Sequence, residues 1–202
     1  MRSEYIARDR LERVFEDVTQ QNRLILQVAL LTGLRIGDVL HLKRENMHPS
    51  KKHCRIDYTA QKTGKNGKAF ISSSLYEKIM QQAGRVWLFE GTQEGKPKTR
   101  QAVWKNLKMA CKKSNISENV TPHSCRKIYA VDLYKAQGLP AVQNALQHSS
   151  DAVSRIYAFA DFQTEHEKEI AMLADLVTAR IETRVAQMVR DMIKNAAKSG
   201  NK

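Results

Sequence analysis

The chain has 202 residues and a mass of 23.0 kDa, room for one generous domain or two small ones, and its 42% hydrophobic content suffices for a core. Thirty-four Lys and Arg stand against 21 Asp and Glu, and a net charge of +13 favours a polyanionic partner, nucleic acid or an acidic membrane surface. No apolar run approaches the roughly 18 residues of a membrane span, the first twenty residues are too charged for a secretory signal, and Cys54, Cys111 and Cys125, widely spaced and with no Cys-x-x-Cys pair, exclude a disulfide framework and fit a cytoplasmic protein.

Leu24, Ile25, Val28 and Leu31 recur at helical spacing and predict a buried helix over 22–31, broken by Thr32-Gly33. A second apolar-periodic stretch follows from Ile36 to Leu42. Cys54, Ile56, Tyr58 and Ala60 alternate with polar residues as a half-buried strand does, and 68–72 returns as its hairpin partner across a Gly-rich turn. Ser74-x-x-Glu77 reads as a capping box opening a helix that Gly84 closes. Val86-Trp-Leu-Phe89 reads as a short buried strand, the third of a small antiparallel sheet. Thr99 is placed to cap a helix with Val103, Leu107 and Cys111 on one face. Thr121-Pro122 opens another helix, ended by Gly138, and Pro140 starts a short one running to about His148. Ser149-Ser-Asp151 caps a last core helix carrying Tyr157. The expected class is α+β, mainly α-helical.

From 163 to 202 the sequence reads as one long helix forming a separate tail. Ile170, Ala174, Val177, Ile181, Val185, Met188 and Met192 step by 4, 3, 4, 4, 3 and 4, a mean nearer 3.67 than the heptad's 3.5. This stripe is expected to pack on the core or on a neighbouring protomer. The tail carries seven basic and six acidic residues, so nearly all the positive excess, +12, belongs to residues 1–162.

Four segments of that body carry side chains suited to phosphate chemistry. Arg35 follows a helix-breaking glycine, Lys62 sits at the mouth of the hairpin, His123 and Arg126 share one face of a first helical turn, and His148 precedes Tyr157 by nine residues. Separately each has an ordinary explanation as a solvated or core-edge residue. Together they suit transesterification at a phosphodiester. Arginine forks match phosphoryl oxygens and stabilise the charge of a pentavalent transition state. A tyrosine hydroxyl, with a pKa near 10, needs neighbouring cations or a base to attack. A departing 5′ oxygen needs a proton that lysine can give. No metal or cofactor is implied: the six histidines show no metal-binding spacing.

The order and spacing of TGLRIGDVLHLK (32–43), QKTGK (61–65), VWLF (86–89), TPHSCR (121–126) and LQHSSDAVSRIYAF (146–159) resemble the catalytic domain of the tyrosine recombinases, the phage integrase family, from about Tyr5 to Phe162. The resemblance implies that Arg35 and Arg126 clamp the scissile phosphate, with Asp38 holding the first arginine. It further implies Lys62 as general acid, His123 in proton transfer, His148 on the non-bridging oxygens, and Tyr157 as the nucleophile forming a 3′-phosphotyrosyl intermediate. Gln147 stands where relatives usually carry glycine, and Lys127 where they often carry a small or polar residue.

The function so implied is site-specific cleavage and rejoining of double-stranded DNA, for integration or excision of a mobile element. The active form would be a homo-tetramer on DNA joined through the C-terminal helix, with no membrane partner. Relatives usually carry an N-terminal DNA-clamping domain, so the chain is expected to be a fragment of a longer enzyme. A type IB topoisomerase-like relaxing enzyme and a non-catalytic DNA-binding accessory protein are the alternatives. RNA binding is disfavoured by an aromatic content of 6%.

Overall fold

The computed structural model describes residues 3–146 and 172–190, and the chain divides into two units, Met1–Tyr157 and Ala158–Lys202. In the first unit the elements follow in the order α1 (Arg8–Glu16), α2 (Gln20–Thr32), α3 (Ile36–Leu40), a 3-10 turn (Arg44–Asn46), β1 (Met47–Pro49), β2 (His53–Thr59), β3 (Asn66–Ser72), α4 (Ser73–Gln82), α5 (Arg100–Lys113) and α6 (Pro122–Leu146). The class is the expected one, mainly helical with one small three-stranded antiparallel sheet in the order β1-β2-β3.

A helix that is apolar over most of its circumference must be central, and α2 is such a helix, with the line through Arg23, Gln27 and Leu31 left open; Leu31, expected on the buried face, is 44% exposed. Leu24, Ile25, Leu26, Val28, Ala29 and Leu30 are all buried, and α2 packs against α3, α4, α6 and β3. The hairpin supplies the neighbouring layer. β2 and β3 pair in the register Cys54↔Ile71 and Ile56↔Ala69, so all four apolar side chains meet the core while their neighbours face out.

The third strand differs from the sequence expectation. It is Met47–Pro49, paired Met47↔Ile56 with β2, whereas Val86–Phe89 forms only an isolated bridge, Trp87 with Lys43. Leu88 and Phe89 are buried as expected. The Glu90 carboxylate, however, accepts the main-chain N–H groups of Val86 (2.7 Å) and Trp87 (3.4 Å), the donors a strand would offer a neighbour. The cap of α4 also shifts. Ser72, not Ser74, accepts the Leu75 N–H at 3.2 Å, and the helix ends at Gln82, before Gly84. Thr99 caps α5 as expected, accepting from Ala102 at 3.2 Å.

Two glycines set the path of the chain around the site. Gly33 ends α2 with φ +68°, and Gly138 breaks α6 with φ +75°, where the sequence places the boundary between two helices. At Gly33 space is short as well: an added Cβ would lie 2.3 Å from Cδ1 of Tyr129 on α6. The left-handed backbone costs an L-residue about 1–2 kcal/mol, and overpacking adds about 1–3 kcal/mol. Gly33→Ala is therefore expected to lose about 2 kcal/mol or more in urea unfolding, and a loss under about 0.5 kcal/mol would contradict this packing.

In the second unit residues 172–190 form one helix. Among the described residues no helix is long and apolar enough to cross a membrane.

Candidate active site

The turn after α2 delivers Arg35. The Gly33 N–H closes the helix on Ala29 O at 3.0 Å, Thr32 Oγ1 accepts the Leu34 N–H at 3.3 Å, and Leu34 is buried. Arg35 then stands in extended conformation at the start of α3, its carbonyl accepting the N–H groups of Asp38 (2.8 Å) and Val39 (3.1 Å). The guanidinium is thus carried on a segment fixed at both ends.

His123 and Arg126 come from the first turn of α6. Thr121 Oγ1 accepts the His123 N–H at 3.2 Å, and Ser124 Oγ accepts the Thr121 N–H at 3.1 Å, a reciprocal cap that sets the direction of the helix start. Arg126 is only 5% exposed. One of its amino groups donates to the Gly33 carbonyl and the other to the Leu146 carbonyl at 2.9 Å. It therefore ties the Arg35 turn to the chain end leading toward His148.

Lys62 lies in the hairpin turn between β2 and β3. The turn is closed by Ala60 N–H on Lys65 O (2.9 Å) and Gly64 N–H on Ala60 O (2.7 Å), with Gly64 at φ +67°. Asp38 anchors its base: the carboxylate, 5% exposed, accepts the Gln61 N–H at 2.9 Å. The resemblance gave Asp38 the task of holding Arg35. The structure shows its hydrogen bond to the main chain beside Lys62, where the short α3 turns this side chain toward the hairpin.

Arg35, Asp38, Lys62, His123 and Arg126 all line one cleft of about 400 Å³. Of the hairpin lysines Lys62, Lys65 and Lys68, only Lys62 lines it among the described residues. A cleft of about 420 Å³ between α1, α2 and α4 is as large, but there Glu12 and Glu16 offset Arg8, Arg23 and Lys78. Charge, not size, singles out the first.

One cation in the cleft escaped the sequence reading. Arg100 is the first residue of α5, and it lines the same wall. A basic side chain at a helix N-terminus opposes the helix dipole, and no acidic residue balances it in that turn. That mismatch is the signal the sequence held. Tyr58 on β2 stands close by: burial raises its pKa above the ordinary tyrosine value, Asp38 adds to the rise, and the charges of Arg126 and Arg35 oppose it.

His123 is the titratable group of the cleft whose pKa moves. His123 is an exposed residue, but partial desolvation of its ring lowers the pKa below the ordinary histidine value, and the positive charges of Arg126, Lys127 and Arg35 lower it further. The shift favours the uncharged imidazole, the form that accepts a proton, in a cleft that also holds Arg35, Lys62, Arg100 and Arg126. The charge of this cleft and its arginine forks suit an anion with two free oxygens, such as a phosphodiester. His148 and Tyr157 lie outside the described residues, as does Gln147.

The profile of the phage integrase family matches residues 4–164. The tyrosine recombinase XerD of Staphylococcus aureus (strain Mu50) is 30% identical over 145 residues, covering 68% of this chain and 49% of the relative. The chain thus spans about half the length of the curated relatives it matches. Among solved structures, the XerH site-specific recombinase in its post-cleavage complex with palindromic difH substrate aligns with a TM-score of 0.67 at 22% identity, covering 82% of this chain and 52% of that one. A lambda integrase tetramer bound to a Holliday junction aligns with a TM-score of 0.58 at 22% identity, covering 75% and 48%. Fold, sequence profile and the XerD likeness agree: the chain belongs to the phage integrase family, the tyrosine recombinases.

Proposed function

We propose that this chain is the catalytic body of a site-specific DNA recombinase that cuts and rejoins strands through Tyr157. The observation that carries the reading is the convergence of Arg35, Lys62, His123 and Arg126, from three separate segments, on one cationic cleft. In this reading the scissile phosphate occupies the cleft with its non-bridging oxygens on Arg35 and Arg126, and Arg100 adds a third positive charge. His148 hydrogen-bonds the same oxygens. The Tyr157 oxygen bonds to phosphorus as the bond to the 5′ oxygen breaks. His123 takes the phenolic proton, and Lys62 gives one to the leaving oxygen. Asp38 acts through the Gln61 main chain as a positioning residue for Lys62. The phosphodiester energy is kept in the 3′-phosphotyrosyl bond, so a second strand's 5′-hydroxyl reverses the step without ATP.

DNA is the proposed partner, as it is for the XerH and lambda integrase structures, and a tetramer joined through the tail the proposed assembly. Service to a mobile element is the proposed setting. The body's positive excess supports a polyanion, each phosphate contact releasing counterions and steepening the salt dependence of binding. The test uses duplex sites recovered by binding from a randomised pool. Recombinant products and four-way junctions between two such sites are the expected result. Relaxation of any supercoiled plasmid without recombinants would point to the topoisomerase-like alternative instead.

The lowered pKa of His123 gives this reading a pH dependence. A group held neutral in the free enzyme loses its function only when pH falls through its depressed pKa, so the acid limb should lie below the ordinary 6.5. Single-turnover cleavage at sub-saturating DNA is expected to hold level through neutral pH and to decline only below the ordinary histidine range. In His123→Gln the limb should vanish and the plateau fall by roughly 10²-fold or more. A wild-type limb centred above pH 7 would contradict the assignment.

A further inference from the structure

Residues 172–190 form a helix whose apolar side chains stand in water. Val177, Ile181, Val185 and Met188 are 57, 58, 53 and 60% exposed. Helices of this length are marginal by themselves, and most gain their stability by covering such a stripe. In sequence the stripe runs on to Ile170 and Met192, outside the described residues, and Ile170, Ile181 and Met192 are eleven apart. An eleven-residue period is the repeat of helices that wind around one another with a right-handed supercoil.

The charges beside the stripe say what covers it. At 100° per residue, Arg180 and Arg184 fall on one flank of the Ile181 line, and Asp175 and Glu182 on the other. They do not serve pairs within the helix. Arg180 and Arg184 are four apart and repel each other, while Glu182 has Thr178 and Ala186 at that distance and Asp175 has Ala179. One flank is positive and the other negative, with no partner for either along the same helix surface.

Two copies related by a two-fold axis along the helices place the positive flank of one against the negative flank of the other, on both sides of the seam. An antiparallel pair would set arginines against arginines and carboxylates against carboxylates. From this arrangement we infer that the tail helix is a self-association element, pairing in parallel and in register with the tail of a second copy of this chain through the Val177–Ile181–Val185–Met188 seam. The two chains then enter the pair from the same end. The inference deepens the tail's part in the proposed assembly by giving it one partner and one direction, and its test without DNA stands or falls apart from the recombinase chemistry.

Cysteine cross-linking of the full chain without DNA tests it. The three native thiols are buried, and burial pushes that of Cys125 up to about 12, so an introduced surface cysteine reacts first. In a parallel in-register pair every seam position faces itself, so Val177→Cys and Met188→Cys should each form disulfide-linked homodimers. In an antiparallel pair at most one position, at the centre, faces itself. Linkage at only one of the two, or at neither, would overturn the inference. Charge variants give a second readout by sedimentation. Glu182→Arg alone and Arg180→Glu/Arg184→Glu alone should each weaken self-association at least tenfold, and an equimolar mixture should restore the dimer as a heterodimer. Variants that dimerise like the wild type, or a mixture that stays monomeric, would overturn it equally.

Discussion

Arg126→Ala is expected to lower single-turnover strand cleavage by at least 10³-fold and to destabilise the body by about 2–4 kcal/mol. The two effects have separate causes. In the proposed reaction the guanidinium supplies two hydrogen bonds to a phosphate whose charge grows in the transition state, and deleting one such donor from a preorganised site typically costs about 10²–10³ in rate. The fold adds a second loss. Arg126 is buried and bonded to the carbonyls of Gly33 and Leu146. Its removal leaves both acceptors in a dry place, at about 1–3 kcal/mol each before relaxation. It also unties the Arg35 turn from the end of α6, so part of the rate loss should come through Arg35. Arg126→Lys separates charge from geometry. A single ammonium keeps the positive charge but cannot span both carbonyls and a phosphate, so DNA affinity should persist while cleavage stays low. Urea unfolding alongside cleavage kinetics checks both parts, and a variant with near wild-type stability and cleavage would refute the assignment.

Lys62→Ala carries the other large effect, and a cleaner diagnosis. A general acid contributes about 10²–10⁴ in rate, because an alkoxide is a poor leaving group. A substrate with sulfur in place of the bridging 5′ oxygen leaves as a thiolate, whose conjugate acid has a pKa of about 8.5 and needs no proton. Lys62→Ala is expected to lose at least 10²-fold on the oxygen substrate and to recover most of it on sulfur, whereas Arg126→Ala should not be rescued. Lys65→Ala and Lys68→Ala should change the chemical step little, since neither side chain lines the cleft. Equal defects on oxygen and sulfur would assign Lys62 to binding rather than proton transfer.

The parts of this fold legible in the sequence were those with a local physical signature. α2 shows an apolar run ended by a glycine that must turn left-handed, and Thr99 and Thr121-Pro122 mark helix starts by cap chemistry that acts within three residues. The parts that escaped depend on distant partners. β1 is three residues long and gains its identity only from pairing with β2. Val86–Phe89 has a strand's composition, yet the Glu90 carboxylate takes the donors of Val86 and Trp87 and leaves only Leu88 to bond a neighbouring segment, at Leu42 O. α1 carries six charged residues in nine, which masks the Leu11, Val14 and Phe15 face that it buries.

The candidate site divides in the same way. Arg35, Lys62, His123 and Arg126 were legible because their order and spacing resemble a family, and they do converge. Arg100 was not, because only the folded chain brings the start of α5 to that wall. Nor was the hydrogen bond of Asp38, whose partner is a main-chain N–H that no side-chain pattern records.

In the proposed reaction the Tyr157 phenolic oxygen forms the covalent bond to DNA. The most direct measurement is capture on nicked duplexes that lose a short strand on cleavage, followed by denaturation and mass analysis of the protein-linked peptide. The expected result is DNA joined through a 3′-phosphate to Tyr157, a free 5′-hydroxyl on the released strand, and no adduct from Tyr157→Phe, which should bind DNA as the wild type does. An adduct that survives in Tyr157→Phe, or strand scission without any protein-linked DNA, would contradict the account.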